Sequence, residues 1–328
     1  FVNVCKTWNV PCYIERSRSG TGAHVWIFFD TPITAFKARK LGNAILTEAM
    51  NSDVHLSFKS YDRFFPNQDS LPEGGLGNLV ALPLQGMARR KGNSVFVDED
   101  FNAYADQWEL LSQIRKLSEV ELDMLLRLHT VPTLGELSKT SEEKPWETPK
   151  MDMMQTDCYP KEIVLTRANM LYIPLTSLSA KCVNVFKRMA AFRNPEFYEK
   201  QGMRLSTYNI PRIISCSEIT DDYLVLPRGC EDAVRDILTQ HNVKVSITDK
   251  TYHGRSIKVT FRGSLREEQQ KAMEAFAGHN VGTLSATTAF GKTVFAIGMI
   301  AKRKVNTLIL VHNKALLEQW KERLESFL

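Results

Sequence analysis

Residues Gly282 to Thr293 read GTLSATTAFGKT, a short apolar run closed by Gly291-Lys292-Thr293 and followed by a helical pattern. Strand, tight loop and helix start in that order make a cradle for phosphate. The loop N–H groups and the positive end of the helix face an anion, Lys292 reaches the outer phosphates, and Thr293 holds Mg²⁺. The same residues in an ordinary strand-to-helix turn would hold no ligand. A second group lies near the start of the chain, Ser19-Gly20-Thr21-Gly22-Ala23-His24, with Arg16 and Arg18 beside it. Hydroxyls, unhindered backbone N–H groups, an imidazole and fixed positive charge at one hairpin mouth suit a triphosphate. A histidine that begins a strand is otherwise a structural residue. Further on, an expected short strand from Tyr61 to Phe65 carries one carboxylate, Asp62.

The phosphate loop needs a rigid frame, and the flanking sequence offers one. Val294 to Ala301 is small and apolar in a helical register, Thr307 to Val311 is rich in β-formers, and Ala315 to Leu328 is amphipathic. In the last of these, Leu316, Leu317, Trp320, Leu324 and Phe327 share one face, and Glu318, Lys321, Glu322 and Glu325 the other. The order β-loop-α-β-α predicts a parallel sheet. Upstream, Gln269 opens a helical pattern, where its amide can pair with the donor and acceptor on one edge of adenine; a lone glutamine on a helix otherwise faces solvent.

The hairpin candidate is framed by strands over Val10 to Glu15 and Ala23 to Phe29, joined by a polar turn from Arg16 to Gly22. Thr31-Pro32 predicts a helix start, with Ile33, Phe36, Leu41, Ile45 and Leu46 as its apolar face. A strand over Leu79 to Leu84 leads to the basic patch Arg89-Arg90-Lys91, and another strand spans Ser94 to Asp98. Asp98-Glu99-Asp100 closes that strand with an acidic run that imitates a metal-binding pair. Tyr104 to Lys116 reads as helix, and Ser118 with Glu121 forms a capping box for a helix through Leu128. His129 to Lys150 has linker composition. An α+β pattern follows: strands within Ile163 to Ile173, a helix from Ser179 to Phe192 ended by Asn194-Pro195, and a run at Ile210 to Ile214. It continues with a strand at Tyr223 to Leu226, a helix from Glu231 to His241, and strands at Val243 to Ile247 and Ile257 to Phe261. The basic side chains of this region either follow a nucleic-acid backbone or form a solvated face.

A chain of 328 residues implies two or more domains. With no run near about 18 apolar residues, a membrane span is excluded. The net charge of +5 suits a polyanionic partner. Six cysteines without a C-x-x-C pair argue against a zinc site and for reduced thiols in a cytoplasmic protein.

Two resemblances follow from these motifs. ERSRSGTGAHVWIFF, YDRFFPNQD, GGLGNLVALPLQG, the strand from Ser94 to Asp98, and DQWELL together resemble the archaeo-eukaryotic primase domain of TOTE conflict systems. That resemblance implies an RRM-like α+β module in which Ser19, Gly22 and His24 bind the incoming nucleotide. It further implies that Asp62 is a catalytic, metal-binding carboxylate for Mg²⁺ or Mn²⁺. The family's Asp-x-Asp pair is expected before the first strand, so the resemblance implies that Asp98-Glu99-Asp100, which follows the His24 motif, is structural; the sequence reads as truncated ahead of that strand, with half of its metal site missing. Leu265 to Gln269 and the phosphate loop resemble superfamily 2 helicases, with Ala286 and Ala289 standing where those loops usually keep glycine. This implies an ATP site of Gln269, Gly291, Lys292 and Thr293, with Mg²⁺ on Thr293, in the first part of a RecA-like sheet truncated before its Asp-Glu box.

The expected organisation is an α/β and α+β multidomain chain. It has a primase-like module at 1–128, a linker at 129–150, an α+β accessory unit at 151–262 and a helicase segment at 263–328. The expected parent is a DNA primase-polymerase fused to an ATP-dependent helicase, with single-stranded or duplex DNA and nucleoside triphosphates as partners; this fragment itself is expected to lack synthesis. The alternative is a nucleic-acid-binding ATPase that remodels complexes and keeps the primase fold as a platform.

Overall fold

The computed structural model describes residues 1–66, 68–69, 80–129 and 158–328. The chain divides into two compact units, Phe1–Val164 with Tyr172–Ser246, and Leu165–Leu171 with Ile247–Leu328. The content is mixed, with several small sheets among many helices.

The element order begins α1 (Val2–Thr7), β1 (Tyr13–Arg16), β2 (Ala23–Trp26) and α2 (Ala35–Met50). A 3₁₀ helix over Phe58–Arg63 follows, then α3 (Gly86–Arg89), β3 (Phe96–Val97), α4 (Gln107–Ser112) and α5 (Glu119–Leu128). Next come β4 (Glu162–Arg167), β5 (Leu171–Pro174), α6 (Ala180–Met189), β6 (Ala191–Arg193), α7 (Pro195–Gly202) and β7 (Ile213–Ser215). The series ends with β8 (Glu218–Ile219), β9 (Tyr223–Leu226), α8 (Glu231–Gln240), β10 (Lys244–Asp249), α9 (Glu267–Ala277), α10 (Lys292–Arg303) and α11 (Lys314–Phe327). The sheets have strand orders β2-β1-β3, β10-β4-β5-β9-β8 and β6-β7.

Helix α2 organises the first unit because it buries two stripes. Leu41, Ile45 and Ala49 pack with Val4 and Cys5 of α1, Leu117, and Leu122 and Leu125 of α5. Leu46 and Met50, on the adjoining stripe, pack against Phe58 and Ile213. Polar bonds reinforce that second contact. Asn184 Nδ2 donates to Asn51 Oδ1 at 2.6 Å, and Asp69 accepts from the buried Arg39 at 3.0 Å, with Arg212 at 3.9 Å.

Several expected elements differ. Helix α2 starts at Ala35 with Thr34 as its cap, three residues after Pro32, because the Thr34 hydroxyl accepts from Lys37 N. Tyr61 to Arg63 is 3₁₀ helix rather than strand, so the alternating pattern there reflects a tight turn against α2. Only Gln107–Ser112 of the expected helix from Tyr104 is helical, since Asp106 supplies its N-cap. Asn194-Pro195 opens a helix instead of ending one: α6 stops at Met189, β6 pairs with β7, and Asn194 caps α7 with proline at its first position. Val80 to Leu84 carries no strand, and Leu84 has φ 64°. The linker beyond His129 lies outside the described residues.

The second unit departs most. Neither Thr283 to Ser285, Thr307 to Val311 nor Ile257 to Phe261 is a strand, and the expected parallel sheet is replaced by one isolated antiparallel bridge, Ser256 to Val305. A parallel strand is held by ladder bonds to its neighbours, and no described segment supplies them; Leu308 and Leu310 are accordingly 83% and 84% exposed. Helix α11 forms as expected, with Leu316, Trp320, Leu324 and Phe327 half-buried and Leu317 exposed.

The capping box of α5 gives a pH signature. Glu121 accepts from Ser118 N at 2.9 Å, Ser118 Oγ at 2.8 Å and Arg115 at 2.6 Å. These donors, the Ser118 amide first, hold its carboxyl down at about 2 from an ordinary 4.5. A depressed folded value means that the contribution is present above the ordinary value and fades as pH falls toward the folded one. Glu121→Gln is expected to melt below the parent at neutral pH, the difference closing as pH drops from 4.5 to about 2. Identical melting curves throughout would refute the assignment.

Candidate nucleotide sites

The first site is the mouth of the β1-β2 hairpin. The antiparallel register sets Glu15 opposite His24 and Tyr13 opposite Trp26, so alternate residues of both strands share a face. Glu15 sits at the centre of that face, its side chain only 3% exposed. Its Oε2 accepts from Trp26 Nε1 at 2.7 Å and lies 3.2 Å from His24 Nδ1, while its Oε1 accepts from Ser94 Oγ at 2.9 Å. The carboxylate thereby fixes the His24 ring through one nitrogen. Nε2 has no protein partner among the described residues and, when it carries a proton, can donate to an anion.

The turn before His24 is built from hydroxyls. Ser17 Oγ accepts from Gly22 N at 3.1 Å, Ser17 and Ser19 hydroxyls lie 3.1 Å apart, and Ser19 and Thr21 hydroxyls 2.9 Å apart. Gly20 has φ 82°, a left-handed conformation that favours glycine, and a Cβ on it would press on the Asn93 side-chain amide. An open depression of about 480 Å³ is lined by Ser17, Arg18, Ser19 and His24. Ser19 and His24 thus meet there. Gly22 shapes the turn, its N–H already engaged by Ser17. Arg16 does not take part: its guanidinium spans the carbonyls of Gly92 and Phe101 and braces the hairpin. Arg18 is the exposed cation at the depression.

The Asp62 backbone lies in the 3₁₀ helix, and its side chain is outside the described residues. Asp98 has a structural role: its carboxylate accepts from Asp100 N and Asn102 N at 2.9 and 2.8 Å and from Asn102 Nδ2 at 3.3 Å. Among the described residues no group of three or more His, Cys, Asp or Glu side chains could hold a metal.

The second site is the loop before α10. Gly291, with φ 83°, is the N-cap, and Lys292 and Thr293 form the first turn. Ala289 also has positive φ, 67°, a conformation that costs a non-glycine residue about 1–2 kcal/mol. Lys292 Nζ donates to Ala286 O at 2.7 Å and Thr287 O at 2.9 Å, so the ammonium rests inside its own loop. The Thr293 hydroxyl, half-buried, has no hydrogen-bond partner among the described residues, which fits a donor set open to Mg²⁺. Gln269 is 4% exposed and occupied at both ends: Nε2 donates to Phe290 O at 2.6 Å and Oε1 accepts from Arg266 N at 2.9 Å. Arg266 also donates to Ala289 O and Phe290 O. In this structure the pair fixes the loop, and pairing Gln269 with adenine would require these bonds to open.

Sequence reasoning passed over Glu15. Its one signal was the register, since a residue two before the turn of a tight hairpin faces the residue two after it. Glu15→Ala would leave Trp26 Nε1 and Ser94 Oγ without their buried acceptor, a loss of about 1–3 kcal/mol for an unsatisfied group. The expected outcome is a lower unfolding midpoint in urea; an unchanged midpoint would show the carboxylate to be dispensable.

Residues 1–125 match the family model described as the TOTE conflict system, Archaeo-Eukaryotic Primase domain, and residues 262–328 match that of the Type III restriction enzyme, res subunit. The chain is similar to the helicase candidate 109L of Invertebrate iridescent virus 3, 43% identical over 72 residues that make up 21% of this chain and 22% of the viral protein. It is also similar to the helicase candidate 161L of Invertebrate iridescent virus 6, 34% identical over 76 residues, 22% of this chain and 17% of that protein. The chain thus spans about a fifth of the length of these relatives. No helix among the described residues is long and apolar enough to cross a membrane.

Proposed function

We propose that this chain, which joins a primase-family segment to a helicase-family segment, belongs to a DNA primase-polymerase fused to an ATP-dependent superfamily 2 helicase. The observation that carries the reading is the Glu15–His24 pair beside the open depression lined by Ser19 and Arg18. There Arg18 supplies fixed charge, Ser19 and Thr21 hydroxyls donate, and His24, oriented through Nδ1, presents Nε2 to a phosphate oxygen of an incoming nucleoside triphosphate. Asp62 is proposed as a carboxylate for Mg²⁺ or Mn²⁺ at this module.

At the second site Lys292 leaves the Ala286 and Thr287 carbonyls for the outer phosphates of ATP. Backbone N–H groups at the start of α10 face the same anion, and Gln269 is proposed to read adenine once released from Phe290. Thr293 would hold Mg²⁺, which neutralises phosphate charge when bound. Working together on single-stranded or duplex DNA, the two modules would couple unwinding to nucleotidyl transfer. The second reading is a nucleic-acid-binding ATPase that remodels complexes and keeps the primase fold as a non-catalytic platform.

His24→Ala is expected to weaken nucleotide binding at the primase module about ten- to hundredfold, the equivalent of one hydrogen bond of roughly 1.5–3 kcal/mol to a charged partner. Melting temperature should hardly change, because the ring is 55% exposed. A destabilised protein with normal nucleotide affinity refutes this site. Lys292→Ala is expected to weaken ATP binding by a similar factor, and undiminished affinity would sink the helicase assignment. In a full-length parent that synthesises DNA, Asp62→Asn should abolish synthesis without lowering DNA affinity, whereas persistence of synthesis would return the primase fold to a platform.

A further inference from the structure

A second cavity of the first unit, about 530 Å³, lies between the segment 55–59 and the strands β7 and β8. It shares no residue with the His24 depression. Its floor carries Lys187 of α6, a lysine only 6% exposed. Two of the three ammonium protons are used, by Val54 O at 2.5 Å and Leu56 O at 2.8 Å. Among the described residues no carboxylate stands within ion-pair distance; Asp53 acts on it only from further away, and burial pushes its pKa down. A buried charge held by carbonyls alone is incompletely compensated. The rim adds His55 and Lys59, both exposed and without side-chain partners among the described residues, together with the Ser215 and Ser217 hydroxyls, 3.0 Å apart. Ile213 and Ile214 of β7 and Ile219 of β8 supply its apolar wall. Three nitrogen cations or donors, two hydroxyls and an apolar wall in a space of ligand size make a receptor for an anion attached to a flat or apolar body.

We propose that this cavity binds a phosphoester group, with Lys187 as the buried anchor and His55 and Lys59 closing over the anion, and that the apolar wall takes the attached nucleoside. The phosphoester could come from a free mononucleotide or from a nucleic-acid strand, and the test separates them. The choice of a nucleoside rests on the proposed function, but the site is independent of the other two, so it is tested in a chain carrying His24→Ala and Lys292→Ala. Acetylation of Lys59 and carbethoxylation of His55 are followed by mass spectrometry alone, with dTMP, and with a short oligothymidylate.

Protection by both probes supports a mononucleotide site, and protection by the oligonucleotide alone supports a strand contact. Protection by neither overturns the proposal. Lys59→Glu, at an exposed position, should weaken the protecting probe about tenfold, as expected for loss of one charged contact, and should abolish His55 protection at equal probe concentration; His55 protection at the parent's level overturns the proposal. Lys187→Met keeps the buried stem and removes the charge, and is expected to abolish protection of both residues. Should it fail to fold, Lys59→Glu alone decides.

Discussion

A single buried carboxylate governs the amino-terminal site. Glu15 accepts from Trp26 on the neighbouring strand β2 and from Ser94 just before β3, and its second oxygen also meets His24. Each β1-β3 pairing is short, only two residue pairs, so side-chain bonds at the centre add cohesion that the ladder lacks. Arg16, the next residue, carries the same job to the other face by spanning Gly92 and Phe101. Two adjacent residues of β1, one acidic and one basic, thus secure the hairpin, and the groups that line the open depression are the ones left over. A carboxyl group buried in a sheet is tolerable because both of its oxygens have hydrogen-bond partners.

The carboxy-terminal site follows a different rule. Its loop is fixed by carbonyl groups rather than by a side-chain acid: Arg266 and Gln269 bind the carbonyls at 289 and 290, and Lys292 those at 286 and 287. Five hydrogen bonds from three side chains, all turned inward, leave the loop compact. Any anion entering it exchanges one set of bonds for another, so its net gain is smaller than its contacts alone would imply.

Much of this was legible in the sequence where periodicity and caps agree. Ser118 with Glu121, the run Tyr223 to Leu226, the helix from Glu231 and the amphipathic stretch ending at Phe327 all appear where their patterns place them. The hairpin with His24 at its mouth is there too. Failures have physical causes. Tyr61 to Phe65 mixes polar and aromatic residues like a strand, yet Phe58 must reach the α2 core, and a tight turn achieves that. Thr307 to Val311 has strand composition, but composition cannot supply a neighbour to pair with. Glu15 was illegible because burial of an acid depends on partners 9 to 79 residues away, and the roles of Arg16 and Gln269 were hidden for the same reason.

The geometry of Gly291 has a consequence for how such chains can diversify. A Cβ at this position would lie 2.7 Å from Gln269 Nε2, so two residues well separated in sequence occupy one volume. Shortening the side chain at 269 would relieve the clash but not the left-handed backbone of Gly291. Drift at 291 is therefore closed by torsion even when space is granted, whereas drift at 269 is open only to side chains that fit over a bare glycine. The pair should vary asymmetrically across descendants: position 291 fixed first, and position 269 exploring the room that it leaves.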